Sequence, residues 1–306
     1  MPIGEHSEDQ ADQRRIAFLI LAHSDPQHLQ RLVDRLQPHA VFVHWDLKSK
    51  PIRCPVGATL IRPSISVYWA GFSQVQATIE LIREALRSGE KFTKIVLLSG
   101  ACYPIKKIEE LNQYFKYDKD HNYLKSVCVE DSEHLKMLVK KIKWRDGIFP
   151  HKYTRGKVGN FTERAVRKII EAIVSLFPKR RPRGLELYHG SNWWALSQEC
   201  CRYILDLFEK RMDIKRFYRL TFSSDEQIFH TIVMNSEFRK DTDPVMLYRK
   251  RGTYQAANLH FIDPSLQKWF DERDFFMLRD SQKFFVRKVK TGISNKLLDM
   301  IDNKLL

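Results

Sequence analysis

No stretch of this chain runs apolar for the roughly 18–20 residues that a bilayer-crossing helix needs, so none is expected. Cysteine is scarce. Its five copies (Cys54, Cys102, Cys128, Cys200 and Cys201) are odd in number and lack a CxxC spacing. That argues against a disulfide scaffold or a zinc site and fits a reducing cytoplasm. Phosphate-cradling glycine motifs are missing: there is no GxxxxGK[ST], and no GxGxxG follows the first apolar run. HExxH is absent too, and the acidic pair Asp241 and Asp243 lies in a polar stretch rather than at a strand end. No metal site is therefore expected. Residues 1–14 are polar and of mixed charge, unlike a secretory leader.

What is plentiful is positive charge. Lys plus Arg is 52 against 37 for Asp plus Glu, a formal net charge of +15 over 306 residues. That balance favours an anionic partner: a nucleotide phosphate, nucleic acid, an acidic glycan or an acidic lipid surface. The apolar share of 43% is enough for a packed core, so wholesale disorder is excluded.

The pattern along the chain is α/β. Ile16 to Leu21 is a short apolar run that predicts a buried parallel strand. Asp25 to Leu36 then places Leu29, Leu32, Val33 and Leu36 at helical spacing, with Ser24 or Asp25 as cap and Pro26 in the first turn. Ala40 to His44 predicts a second strand, completing a βαβ unit. A short strand at Thr59–Ile61, a helix over Gln74–Leu86 and a strand over Lys94–Leu98 continue the alternation. Open sheets of this kind bind ligands beyond the carboxyl ends of their strands. Those ends carry His23, Asp46 with Lys48 just after it, and Ser99. Further on, helices are expected over Thr162–Phe177, Gln198–Phe208 and Ser223–Met234, a strand over Phe284–Val289, and a basic amphipathic helix over Thr291–Leu306.

Three constellations carry chemistry. In Ser223–Gln227, Ser224 or Asp225 suits a helix cap, and Glu226 suits a general base that takes a proton from a substrate hydroxyl. Arg287 and Lys288, beside an apolar run, suit a diphosphate grip, although paired surface cations are more often merely solvated. Trp193 and Trp194, with Ser191 nearby, suit a sugar face, while core packing is the expectation for at least one of them. Trp69, in the loop before the Gln74 helix, is a further substrate contact of the same kind.

Taken in order, the runs IAFLILAHSDPQHLQRLV, VFVHWDLKSK, VYWAGFSQVQA, LLSGACYPIK, HGSNWWALS, SSDEQIF and FFVRKV resemble the core-2/I-branching glycosyltransferases. That family joins β-1,6-N-acetylglucosaminyltransferases with peptide O-xylosyltransferases. The resemblance covers about residues 15 to 290. It implies a GT-A-type sheet flanked by helices in a single large catalytic domain, and inverting transfer from a UDP-sugar without a bound metal or other cofactor. It also implies Glu226 as general base, Arg287 and Lys288 on the diphosphate, and Asp46 in the nucleotide pocket. The chain departs from the pattern at Val289, where an aromatic is usual. Leu259–Pro264 also lacks an expected Trp and His-Pro, which leaves Arg249 and Arg251 as candidates for a further diphosphate cation.

The expected organisation is a polar tail (1–14), a nucleotide half (about 15–117), an acceptor half (about 118–290) and the terminal helix (291–306). The expected activity is transfer of N-acetylglucosamine or xylose to a glycan or lipid-linked glycan, in a bacterial surface-polysaccharide pathway. The enzyme would be cytoplasmic, with possible peripheral membrane contact through 291–306. The competing reading is a catalytically inert carbohydrate- or nucleic-acid-binding protein. Against nucleic acid, the cations are dispersed and no recognition motif stands out.

Overall fold

The first apolar run becomes the middle of a sheet. A computed structural model of the chain describes residues 15–149, 157–177, 179, 181–248 and 257–306. Strand β1 (Arg15–Ala22) pairs in parallel with β2 (Ala40–Trp45) on one side and β4 (Phe92–Ser99) on the other. Strand β3 (Thr59–Leu60) extends the β2 edge in parallel. A late strand, β8 (Ala195–Leu196), closes the β4 edge antiparallel, giving the order β3-β2-β1-β4-β8.

Between these strands run α1 (Pro26–Arg35) and α2 (Phe72–Arg87). Asp25 caps α1 as expected, with Pro26 at its first position, and its Oδ1 accepts the His28 N–H at 3.1 Å. Both faces of the sheet are covered, as its uninterrupted apolar strands require. Phe18 and Ile20 point to one side, with Leu29, Leu32, Phe285, Leu297 and Ile301. Ala17 and Leu19 point to the other, with Val75, Ile79, Ile82 and Trp194.

After β4 come β5 (Cys102–Pro104), α3 (Ile108–Tyr117), β6 (Ser126–Cys128), α4 (Glu133–Lys140) and α5 (Lys157–Ser175). Strand β7 (Tyr188–Gly190) pairs with β6, and β8 then leads into α6 (Gln198–Lys210) and α7 (Met212–Arg219). The single helix expected over Ser223–Met234 is broken. Ser224–Glu226 forms a 3-10 turn after Ser223, whose φ of 49° is left-handed, and α8 (Ile228–Met234) starts only after Gln227. Neither Ser224 nor Asp225 caps a helix with its side chain, so the capping expectation fails.

Strand β9 (His260–Ile262), α9 (Phe275–Arg279), β10 (Phe285–Arg287) and α10 (Asn295–Lys304) end the chain. β10 lies between β5 and β9, which brings it back to the β4 end of the first sheet. Helix α10 spends its apolar face on the domain. Leu297, Leu298 and Ile301 are buried in the β1 core, and Asp302 and Asp299 each take the Arg31 guanidinium at 2.7 Å. Among the described residues no helix is long and apolar enough to cross a membrane. All five cysteines are free thiols.

Candidate active site

In the strand order, β1 sends β2 and β3 to one side and β4 to the other, so a crevice opens beyond the carboxyl ends of β1 and β4. A cavity of about 720 Å³ sits there. The close approach of these strand ends depends on Gly100, where a Cβ would come within 2.9 Å of the Ala22 Cβ. The cavity is lined by His23, Asp46, Lys48, Ser99, Arg287, Trp69 and Trp193, which sequence reasoning singled out from separate segments.

Asp46 and Lys48 form one corner of the cavity. Asp46 is buried, its Oδ1 accepts the Lys48 N–H at 2.9 Å and the Val67 N–H at 3.2 Å, and its Oδ2 pairs with Lys48 Nζ at 2.5 Å. Lys48 Nζ also donates to the Val67 carbonyl and lies 4.5 Å from the centre of the Tyr68 ring. The pair thus holds the Ile65–Tyr68 loop over the cavity. His23 is exposed at the rim, and its carbonyl accepts from Ser49 Oγ at 2.6 Å.

Arg287 comes from the far end of the chain. Its Nε donates to Ser99 Oγ at 3.0 Å, and its guanidinium lies 4.6 Å from the centre of the Trp193 ring. No carboxylate lies within ion-pair distance of it among the described residues, so its charge is available to a ligand. Burial lowers its pKa, and the negative charge of Glu226 works in the opposite sense. Lys288 is placed differently. Its Nζ donates to the Leu266 carbonyl at 2.8 Å, and it does not line the cavity. Lys290 does line it, with its Nζ 4.6 Å from the centre of the Trp269 ring, another wall residue. Sequence reasoning missed both. No spacing rule links a lysine beyond the end of β10 to that cavity.

The acid of the set is Glu226, on the 3-10 turn. Its side chain is 37% exposed, with Oε2 3.8 Å from His189 Nε2. Partial burial, then the adjacent Asp225 carboxylate, push the Glu226 pKa up, and Arg287 pulls it back. Glu226 itself is not among the cavity walls. Burial holds the His189 pKa down at about 3, so this imidazole is neutral near pH 7 and forms no ion pair with Glu226.

Asp225 is buried, and its Oδ1 has no hydrogen-bond partner among the described residues. With capping ruled out, local helix stability does not explain this carboxylate pair. Gln227 stiffens the turn by donating from Nε2 to the Phe222 carbonyl at 2.8 Å.

Ser191 and Trp194 stand behind the cavity rather than in it. The Ser191 carbonyl accepts the His230 Nε2 proton at 2.9 Å, and Ser191 Oγ accepts the Trp193 backbone N–H at 3.2 Å, which fixes the backbone that carries that indole. Trp194 is 1% exposed and packs on Phe229, so of the two tryptophans it is the core residue. Trp69 is 74% exposed at the cavity rim, with its ring edge-on to Phe222 at 5.5 Å. Arg249 and Arg251 lie outside the described residues. Among the described residues no group of three or more His, Cys, Asp or Glu side chains is placed to hold a metal ion.

The family model for the Core-2/I-Branching enzyme matches residues 16–243. A xylosyltransferase of Ciona intestinalis is 24% identical over 315 residues, covering 95% of this chain and 34% of that protein. Xylosyltransferase 2 of Homo sapiens is 22% identical over 94% of this chain and 33% of its own length. Xylosyltransferase 1 of Canis lupus familiaris is 22% identical, over 94% and 30%. The chain thus spans about a third of the length of these relatives. Because the family model covers well over half of the chain and the sheet carries its polar residues at the strand ends, this protein belongs to the core-2/I-branching enzyme family.

Proposed function

We propose that the chain moves a sugar, xylose or N-acetylglucosamine, from a UDP-sugar to a hydroxyl of a glycan acceptor, with inversion at C1 and without a divalent ion. The observation that carries this reading is a single cavity beyond the carboxyl ends of β1 and β4 that gathers Asp46, Lys48, Ser99, Trp193 and Arg287, the last with no carboxylate within ion-pair distance among the described residues. An acid poised nearer neutrality is suited to general-base work. Glu226 takes the acceptor proton as that oxygen attacks C1, and UDP departs from the opposite face. Negative charge then builds on the leaving diphosphate beside Arg287 and Lys290, which line the cavity. Fixed cations in a partly dry site stabilise that charge without reorganising. Trp193, held under Arg287, offers an aromatic face for the sugar ring.

The names of the relatives favour xylose, and the family as a whole includes both donors. The test is a thermal-shift screen over UDP-xylose, UDP-N-acetylglucosamine and UDP, since a ligand of the native state raises Tm, together with an assay of UDP release. One donor is expected to raise Tm and to be slowly hydrolysed, and Glu226→Gln is expected to abolish the release while UDP still raises Tm. If no UDP-sugar shifts Tm, or if the Gln variant releases UDP at the wild-type rate, the reading is wrong.

A further inference from the structure

A second cavity, of about 960 Å³, lies next to the first. Its walls include six cations, Lys141, Lys143, Arg145, Arg164, Arg167 and Lys168, and a single acid, Glu171. Glu171 is already engaged, with Oε1 accepting the Trp144 N–H at 2.8 Å and Oε2 3.8 Å from Lys143 Nζ. Arg167 pairs with Glu163 at 3.1 Å. Lys141, Arg164 and Lys168 have no carboxylate within ion-pair distance among the described residues. So many like charges around one concavity repel one another, and an anionic ligand would relieve that repulsion.

The two cavities share a partition. Trp69 lines the first, Phe222 and Arg145 line the second, and the two rings are 5.5 Å apart. The Arg145 guanidinium lies 5.3 Å from the centre of the Trp69 ring and 5.0 Å from that of Phe222. Phe222 lies just before the short turn that ends in Glu226, and Gln227 ties that turn to the Phe222 carbonyl. One short segment therefore carries both a wall of the basic cavity and the acid.

Resting on the glycosyltransferase reading above, we infer that this basic cavity is an acceptor subsite for an acidic glycan. Its cations receive carboxylate, sulfate or phosphate groups, and the chain passes over Trp69 toward Glu226. The aromatic walls, Trp144, Phe161 and Phe222, suit the C–H faces of sugar rings. The volume is at the upper end of the about 300–1,000 Å³ typical of ligand pockets, which suits an oligosaccharide segment. A flat anionic surface would leave the concavity unfilled. This favours a glycan over a membrane, despite the exposed Ile169, Ile173 and Phe177 on α5 and just beyond it.

Titrations of the full chain, with UDP saturating, test the proposal. The probes are a carboxylated hexasaccharide (oligogalacturonate), a sulfated maltohexaose and neutral maltohexaose. An acidic probe is expected to bind at least about tenfold tighter than the neutral one, the scale of a charge-assisted contact, and to weaken as salt rises. Comparing the carboxylated and sulfated arms identifies the anion. The exposed double variant Lys141→Glu/Lys168→Glu is expected to lose about tenfold or more of that affinity, with Tm and UDP affinity unchanged. Equal binding of acidic and neutral probes would overturn the proposal, as would full affinity in the double variant. Tighter binding of poly-glutamate or of phosphatidylglycerol vesicles than of either acidic glycan would also overturn it, by identifying a peptide or a membrane instead. Failure of the underlying reading looks different: no UDP-sugar then shifts Tm, whatever the glycans do.

Discussion

Arg287 and Glu226 lie on different elements, β10 and the turn before α8, yet each shifts the other's proton affinity. The proposed sugar transfer depends on that interaction. A cation that takes up leaving-group charge and a base that takes up an acceptor proton must be close enough to act on one substrate.

Glu226→Gln removes the base and keeps its shape. Its kcat should fall by about 10²- to 10⁴-fold, the usual worth of general-base help, while Kd for UDP by calorimetry stays the same. A kcat within a factor of two of wild type would remove Glu226 from this role.

The pH dependence follows from the direction of the shift. The base works only when ionised, and burial with Asp225 raises its pKa, so kcat should rise with pH along a limb displaced above the ordinary carboxylate value of about 4.3. Arg287 favours the ionised form, so Arg287→Met should move this limb to still higher pH. A limb that moves down, or stays in place, would show that the two charges do not interact.

Stability gives an independent check of the same shift. Because the folded-state pKa of Glu226 lies above the unfolded one, bound proton stabilises the native state below the unfolded pKa, and that contribution is lost as pH rises through the folded pKa. Gln cannot ionise. The Tm of Glu226→Gln minus that of wild type should therefore grow from acid to mildly alkaline pH in thermal melts. A difference that is flat with pH would contradict the raised pKa.

The cations differ in position, so their variants should differ in effect. Arg287→Ala should weaken UDP by about 10- to 100-fold, the cost of losing charge-assisted hydrogen bonds, and Lys290→Ala should weaken it less. Lys288→Ala should have the smallest effect, since its Nζ is turned to the Leu266 carbonyl. Turnover should also survive EDTA. Activity lost on chelation and restored by Mn²⁺ would assign the charge stabilisation to a metal instead.

Gly190 tests the scaffold behind the turn. A Cβ there would come within 2.2 Å of His230 Cε1 and 2.4 Å of the Lys125 carbonyl oxygen, and that backbone atom has little room to move. Gly190→Ala should cost about 1–3 kcal/mol by overpacking, visible as a lower urea midpoint. No change in the midpoint would mean that β6 and β7 yield at little cost.

The sheet was legible in the linear chain because its strands are buried on both faces. Apolar runs at Ile16–Leu21, Ala40–His44 and Lys94–Leu98, bounded by polar residues, leave little else for those segments to be. The strand-end residues His23, Asp46 and Ser99 followed from the same argument, because position in a parallel sheet dictates which ends converge. The order of motifs likewise pointed to the family that the comparisons bear out.

Long-range packing decided the rest. Which of Trp193 and Trp194 faces the cavity depends on β8 joining the sheet edge at Ala195. Whether Lys288 or Lys290 reaches it depends on what β10 meets, the Leu266 carbonyl on one hand and Trp269 on the other. The break at Gln227 that frees Asp225 and Glu226 from capping left no mark on helical periodicity. The neighbouring basic cavity gathers lysines and arginines from before α5 and within it, which in the sequence look only like solvated charge. Local pattern reports what a segment buries. Only the folded chain determines which distant charges come to share one space, because that depends on contacts between segments that no local period encodes.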